Sequence, residues 1–324
     1  MIHIKKPLII ILLFTILLNF SGCSPLISDN DLKDDVPIFP GDTSKAQAKD
    51  YMLYFMMDGE SYLTPEIRTL TIPESRSIEE TLIKQLIAGP KGGSSNIVPC
   101  INENTRLISV EGKEDVLFVS LSDQFLTPPV GLGQDIEDIE VFNQLVLDTR
   151  KMALFSIANT ITEMGTYSFV QFYIDYDNNG NGTRPTRKEM GFLGEGENQL
   201  MEPIYRNTDL IFSPVSSIST IMNAVSEKNW EKVLKYTSIA DEPNASVDEL
   251  ARQFELNNLS LLEYNIVSDT VSLSGDSAVV VLNYTFAIAS GTDEVKSNIS
   301  VKMVFEDGIW KCTINSLNHI LLGE

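Results

Sequence analysis

The chain has 324 residues, with 45 acidic side chains against 24 basic ones and a formal net charge of −21. That balance argues against nucleic acid as a partner, because phosphates demand a basic face, while 43% apolar and 21% charged residues is the composition of an ordinary folded protein. The two histidines are His3 and His319, so a His-rich zinc site is not available and any Ser/His/Asp triad would have to use His319 near the C-terminus.

Lys5 and Lys6 are followed by an apolar run over 7–18 and then by Phe20-Ser21-Gly22 before Cys23. A basic start, about a dozen apolar residues and a small-residue exit predict a secretory signal over 1–22, too short to cross a bilayer core of roughly 30 Å. Phe20-Ser21-Gly22-Cys23 resembles the lipobox of bacterial lipoproteins. The resemblance implies that Cys23 becomes the first residue and carries a diacylglyceryl group, a lipid anchor holding the protein on the outer face of the cell membrane. The other reading is a plain signal peptide with an incidental cysteine. Two acyl chains anchor stably where one does not. Cleavage removes two lysines and no acid, taking the net charge from −21 to −23, so attachment must come from lipid rather than from basic residues.

Residues 23–50 are acidic and punctuated by Pro25, Pro37, Pro40 and Gly41, which predicts a flexible tether. Folded sequence starts with the apolar strand 51–57, closed by Asp58-Gly59, and a second strand over 67–72. Ser77 and Glu80 form a capping box whose two side chains each accept a backbone N–H. Ile78, Leu82, Ile83, Leu86 and Ile87 then line one helical face, and Gly89-Pro90 ends the helix. Strands are predicted over 106–110 and 116–121, a long helix within 136–164 ended by Gly165, and a strand over 169–175. This alternation makes a first domain of mixed α/β type over 51–212.

A second domain is predicted over 214–324. Ile218, Ile221, Met222, Val225, Trp230, Val233 and Leu234 set one apolar stripe on a single helix of about five turns, and Ser246 with Glu249 caps a shorter one. Everything after Leu259 reads as strand and turn. Val295, Ile299, Val301, Met303 and Phe305 are expected on one face of a strand, and Lys296, Asn298, Ser300 and Lys302 on the other. Asp307-Gly308 turns the chain into a strand over 309–314 that points Trp310, Cys312 and Ile314 inward. Helices followed by an antiparallel sheet define an α+β domain.

Several ordered blocks of the first domain carry a resemblance: Leu86-Ile-Ala-Gly-Pro90, Ile97-Val-Pro99, Thr105, Val119-Ser-Leu-Ser122, Ser156-Ile-Ala-Asn-Thr160 and Val170-Gln-Phe-Tyr-Ile-Asp175. Together they resemble the GerMN domain of sporulation and spore-germination proteins. The resemblance implies a lipid-anchored protein of a spore-forming or related Gram-positive bacterium, with protein partners between membranes, possible homo-oligomers and no catalytic residues. The chain departs from the family in the insert 100–104, in the acidic segment 135–140 and beyond Asp175, and it has a single copy of the domain. In the second domain Asn229-Trp230, Gly275-Asp-Ser-Ala-Val-Val280 and Asp307-Gly-Ile-Trp-Lys311 resemble the nuclear-transport-factor-two-like, cystatin-related cone, a fold-level likeness that says little about activity.

Three constellations invite chemistry. Asp175, Asp177 and Asn179, with Gly180, resemble the start of a calcium loop, but Thr186 stands where a bidentate glutamate is needed and Glu189 comes three residues late. A polar hairpin loop, with Asn and Gly supplying positive φ, is the favoured reading. Glu137, Asp138 and Glu140 are explained as acids at a helix start, where the dipole favours them. Cys100 and Cys312 are expected unpaired in cores rather than bridged, and Trp310 is expected in the core rather than in a ligand pocket. No catalytic residue, metal ligand or cofactor site emerges. The expectation is a non-enzymatic, lipid-anchored assembly or interaction protein linked to sporulation or germination, the alternative being a ligand-binding lipoprotein with its pocket in the C-terminal cone.

Overall fold

The apolar run after residue 50 becomes the middle strand of the first sheet. A computed structural model describes residues 47–92, 94–256, 259–288 and 293–322. In it β1 (Ala48–Met57) pairs antiparallel with β2 (Leu63–Thr71) and, at its last two residues, with β3 (Ile97–Val98). Between them α1 (Ile78–Ile87) buries Leu82, Ile83, Leu86 and Ile87. Only half of the expected capping box forms. The Ser77 hydroxyl accepts from Glu80 N at 3.1 Å, whereas the Glu80 carboxylate turns to Lys84, 2.5 Å away, an i,i+4 partner on the same helical face. Gly89, at φ +83°, ends the helix as predicted.

A second sheet runs β4-β5-β6-β7, with β4 (Leu107–Lys113), β5 (Val116–Ser122), β6 (Phe169–Asp175) and β7 (Ile204–Tyr205). β5 and β6 are parallel, joined by the crossover helix α2 (Ile139–Glu163), while β4 and β7 pair antiparallel on either side. Helix α2 touches both sheets, and residues 152–161 are buried without interruption. A helix enclosed on all sides needs no amphipathic stripe.

The third sheet runs β8-β12-β11-β10-β9, formed by β8 (Thr237–Ser238), β9 (Leu259–Val271), β10 (Ser277–Ile288), β11 (Asp293–Glu306) and β12 (Ile309–Thr313). Helices α3 (Pro214–Ser226), α4 (Trp230–Lys235), α5 (Val247–Leu256) and α6 (Ile314–Leu322) complete this part of the chain. The whole is a mixed α+β protein, and residues 46–324 form one compact unit containing two hydrophobic cores. Met57, at the end of β1, is buried in the second core beside Phe212 and Ile218.

Three expectations for this half are corrected. The single five-turn helix is two, because Lys228 takes a left-handed φ of +55° and Asn229 starts a new helix by accepting from Lys232 N at 3.1 Å. Val295 is 67% exposed rather than inward. The register slips between Leu282 and Tyr284, where Asn298 sits at φ +56° and its N–H meets Asn283 Oδ1 at 2.7 Å. One extra residue in a strand reverses the faces beyond it. Finally, the last strand stops at Thr313, and Ile314 opens α6 instead of ending the sheet. Ile314, Leu317, Ile320 and Leu321 are all buried, at helical spacing.

Candidate interaction surfaces and crevices

The two cores meet through the β1–β2 turn. Glu60, on that turn, pairs with Lys232 at 2.8 Å and accepts from Tyr236 OH at 3.2 Å, and Lys235 Nζ donates to Asp58 O at 3.2 Å. Burial first, then the Glu60 charge, pushes the Tyr236 phenol above its ordinary range. Tyr62 meets Phe212 edge-on and Phe212 meets Tyr236 tilted, with 5.5 Å between ring centroids in each pair. On the other side the tight turn at Asp307-Gly308 is gripped: Thr64 Oγ1 donates to Gly308 O, and Ser94 Oγ donates to Asp307 O at 2.5 Å. Both turn residues have positive φ, +52° and +80°, as a two-residue hairpin requires.

An open groove of about 790 Å³ runs beside this junction, its walls including Met52, Ile67, Ile97, Phe305 and Trp310. Ile67 and Leu273 stand exposed at its rim. Trp310 therefore serves two surfaces: it is buried in the second core, edge-on to Phe305 at 5.3 Å, and it also faces the groove. A second crevice, of about 500 Å³, lies between the 58–61 turn, the 129–133 loop and α2. Nothing in the hydrophobic pattern announced it, since it is assembled from three separate segments.

The 175–182 loop takes the hairpin form. Asp175 is buried, and its two carboxylate oxygens accept from Asn179 N at 3.1 Å and Gly180 N at 2.9 Å. Asn178 and Gly180 supply the positive φ, and Thr183 closes the loop by pairing with Ile174. Glu189 is engaged elsewhere: it accepts from Thr186 N, Thr186 Oγ1 and Tyr176 OH, at 2.7, 2.7 and 2.9 Å. Asp138 caps α2, its Oδ1 accepting from Glu140 N at 2.8 Å and Val141 N at 3.2 Å, while Glu137 and Glu140 are exposed. The acidic run is thus a helix start.

Cys100 and Cys312 are free thiols buried in different cores. Burial pushes the Cys100 thiol up to about 11 and that of Cys312 higher still. His319 is exposed on α6. Cys23 lies outside the described residues. Among the described residues no helix is long and apolar enough to cross a membrane.

A buried arginine escaped the sequence reading. Arg68, 2% exposed, bonds Glu66 at 2.6 Å, Gln85 Oε1 at 2.9 Å and Gly89 O at 2.7 Å, and lies 4.9 Å from the Phe55 ring centroid. It ties the end of α1 to β2, a structural clamp for the Gly89-Pro90 turn. In the second core, Trp230, Met222, Tyr284, Phe286 and Met303 are buried together between helices and sheet.

Comparison with known proteins finds a family likeness for part of the first half of the chain. Residues 52–177 match the Germane family model, described as sporulation and spore germination. This supports a GerMN-type domain within the predicted 51–212; residues 178–212 lie outside the match. Among solved structures, the tandem GerMN domains of the sporulation protein GerM from Bacillus subtilis are 18% identical. The alignment covers 51% of this chain and 48% of that one, with a TM-score of 0.34. The chain thus spans about half the length of that structure. The first GerMN domain of the same protein is 16% identical over 49% of this chain and 98% of that one, with a TM-score of 0.31. A SEC-C motif-containing protein from Rhodopseudomonas palustris is 15% identical over 31% and 75%, with a TM-score of 0.28. No curated protein matches the chain.

Proposed function

We propose that the protein is a non-enzymatic, lipid-anchored assembly or interaction protein of the extracytoplasmic space that acts in sporulation or spore germination. The observation that carries this reading is the Germane match over residues 52–177. Cys23, the lipid attachment residue, would hold the chain to the outer face of the cell membrane, and the sequence between it and β1, which starts at Ala48 rather than after residue 50, would serve as its tether. The C-terminal half is a nuclear-transport-factor-two-like cone in this reading, supported by its order of two helices, a short strand, a third helix and a long antiparallel sheet. Tyr236 bonds Glu60 and Glu189 accepts from Tyr176, contacts that join segments of the fold, which suits a scaffold. Protein partners would be met by folded surfaces, the groove beside Trp310 among them, and a second copy of the chain is one such partner.

The test has two arms. In cells carrying Cys23→Ser, the reading expects the protein to shift from the membrane fraction to the soluble one; unchanged processing and membrane retention would count against the anchor. In intact cells, a photo-crosslinker at the exposed groove position Leu273 should capture a defined protein band that disappears when Ile67 is changed to Asp. Turnover of a cell-wall substrate by the purified protein would overturn the non-enzymatic role.

A further inference from the structure

We propose that the crevice between the β1–β2 turn, the 129–133 loop and α2 is a binding site for a small apolar molecule carrying a protonated amine. Its volume, about 500 Å³, falls in the range of small-molecule sites, which combine apolar walls with a few placed polar groups. The walls here are apolar: Met56, Val98, Leu145 and Met152 face the space, and Pro129 and Leu132 close it from the loop side.

The charged groups are of one sign. Asp58, Glu60 and Asp148 line the crevice, and among the described residues no basic one does. Glu60 is already neutralised by Lys232 at 2.8 Å and Lys235 Nζ lies 3.2 Å from Asp58 O, which leaves the exposed Asp148 carboxylate to set the field at the mouth. A cation is attracted there and a carboxylate repelled.

A second observation is independent of the acids. Thr149 also lines the crevice, is 2% exposed, and its hydroxyl has no hydrogen-bond partner. An orphaned buried hydroxyl costs free energy that a ligand would recover. An ammonium offers three donors and no acceptor, so its N–H groups can face the exposed Asp148 carboxylate, and a turn of the Thr149 side chain to its other helical rotamer would bring the buried Oγ1 to one of them. The apolar body then occupies the space over Met56 and Met152. Asp148 reads as ordinary surface and Thr149 as ordinary core; the crevice they line exists only once the 58–61 turn and the 129–133 loop lie against α2.

Isothermal titration calorimetry of the purified full chain with three rigid, isosteric probes tests this: 1-adamantylammonium, 1-adamantanol and 1-adamantanecarboxylate. The ammonium should bind, and the carboxylate about tenfold more weakly or worse. Asp148→Asn should weaken the ammonium by about tenfold and leave the alcohol unchanged. Thr149→Val should weaken the ammonium while raising the melting temperature of the free protein, because the orphan is gone. Leu145→Trp, which fills the crevice from its half-buried wall, should abolish binding of the ammonium. The proposal fails if the carboxylate binds as well as the ammonium, if ammonium binding survives both Asp148→Asn and Leu145→Trp unchanged, or if the ammonium gives no heat up to about 10 mM.

Discussion

Ser156 of α2 donates its hydroxyl to the carbonyl oxygen of Tyr54 in β1 at 2.6 Å, and Thr160, one turn later, accepts from the Tyr54 N–H at 3.0 Å. The reason lies in the sheet. β3 covers β1 only at Met56 and Met57, so the backbone of Tyr54 faces a helix instead of a strand. Unpaired, those two groups would be buried at a cost. Two hydroxyls of α2 take the place of the missing strand. On the other flank Tyr54 lies opposite Pro65, a residue with no N–H to give and therefore suited to an outer strand.

Ser156→Ala and Thr160→Val should each destabilise the protein by about 1–3 kcal/mol, the cost of leaving a buried backbone group unsatisfied. Urea unfolding followed by circular dichroism measures this. A loss below about 0.5 kcal/mol for both would mean that water or a shifted strand reaches Tyr54.

The junction between the cores supplies a second prediction. Tyr236 is fully buried, and its hydroxyl ends on Glu60, which also holds Lys232. Tyr236→Phe and Glu60→Gln should each cost about 1–2 kcal/mol, and the double variant less than their sum, because hydrogen bonds to a charged group exceed neutral ones. Denaturation of the four proteins in one buffer gives the coupling energy. Simple additivity would show that the Tyr236–Glu60 hydrogen bond contributes no energy of its own to the junction.

Much of this fold was legible in the chain because the signals were local. Ser77, Gly89, Gly165 and Asp307-Gly308 marked ends and turns through backbone chemistry, and β6 was predicted with its observed bounds. What failed depended on single residues in unexpected conformations. Lys228 broke a helix whose apolar stripe ran on without interruption, and Asn298 inserted a bulge that a period of two cannot register. The terminal helix α6 was missed because Trp310, Cys312 and Ile314 continue the strand pattern one step too far. The sites were less visible than the elements. Arg68 reads as an ordinary strand position until Gln85 and Gly89 are brought to it, and the crevice beneath the 129–133 loop needs three segments in register.

A third prediction concerns acid. Burial alone would raise the Glu189 carboxyl, but bonds from the Thr186 hydroxyl and amide and from Tyr176, with the nearby Arg150 charge, hold it below the usual glutamate value. A group whose folded pKa is depressed contributes stability above its unfolded pKa, about 4.3, and loses it as pH falls through the folded value. The melting temperature of the unaltered protein should therefore exceed that of Glu189→Gln at pH 7, and the gap should close as the pH is lowered from 4.5 towards about 3. Equal gaps at both ends would remove Glu189 from the acid sensitivity of the 183–200 segment.

The last prediction separates backbone geometry from close packing at two glycines. Gly191 and Gly275 have nearly the same φ, +80° and +75°. At Gly275 a methyl group would meet nothing within 4 Å, whereas at Gly191 it would lie 2.2 Å from the carbonyl oxygen of Leu147, in the backbone of α2. Gly275→Ala should therefore cost only the left-handed strain, about 1–2 kcal/mol. Gly191→Ala must in addition push the 187–192 segment off the helix. That movement would disturb the bond from Arg150 to Glu189 O and the Phe155–Phe192 contact at 6.0 Å. Its cost should exceed that of Gly275→Ala by at least about 2 kcal/mol, read as a difference in urea midpoints at constant slope. Equal costs would mean that the 187–192 segment gives way freely, and that its packing against α2 contributes little to the stability of the first core.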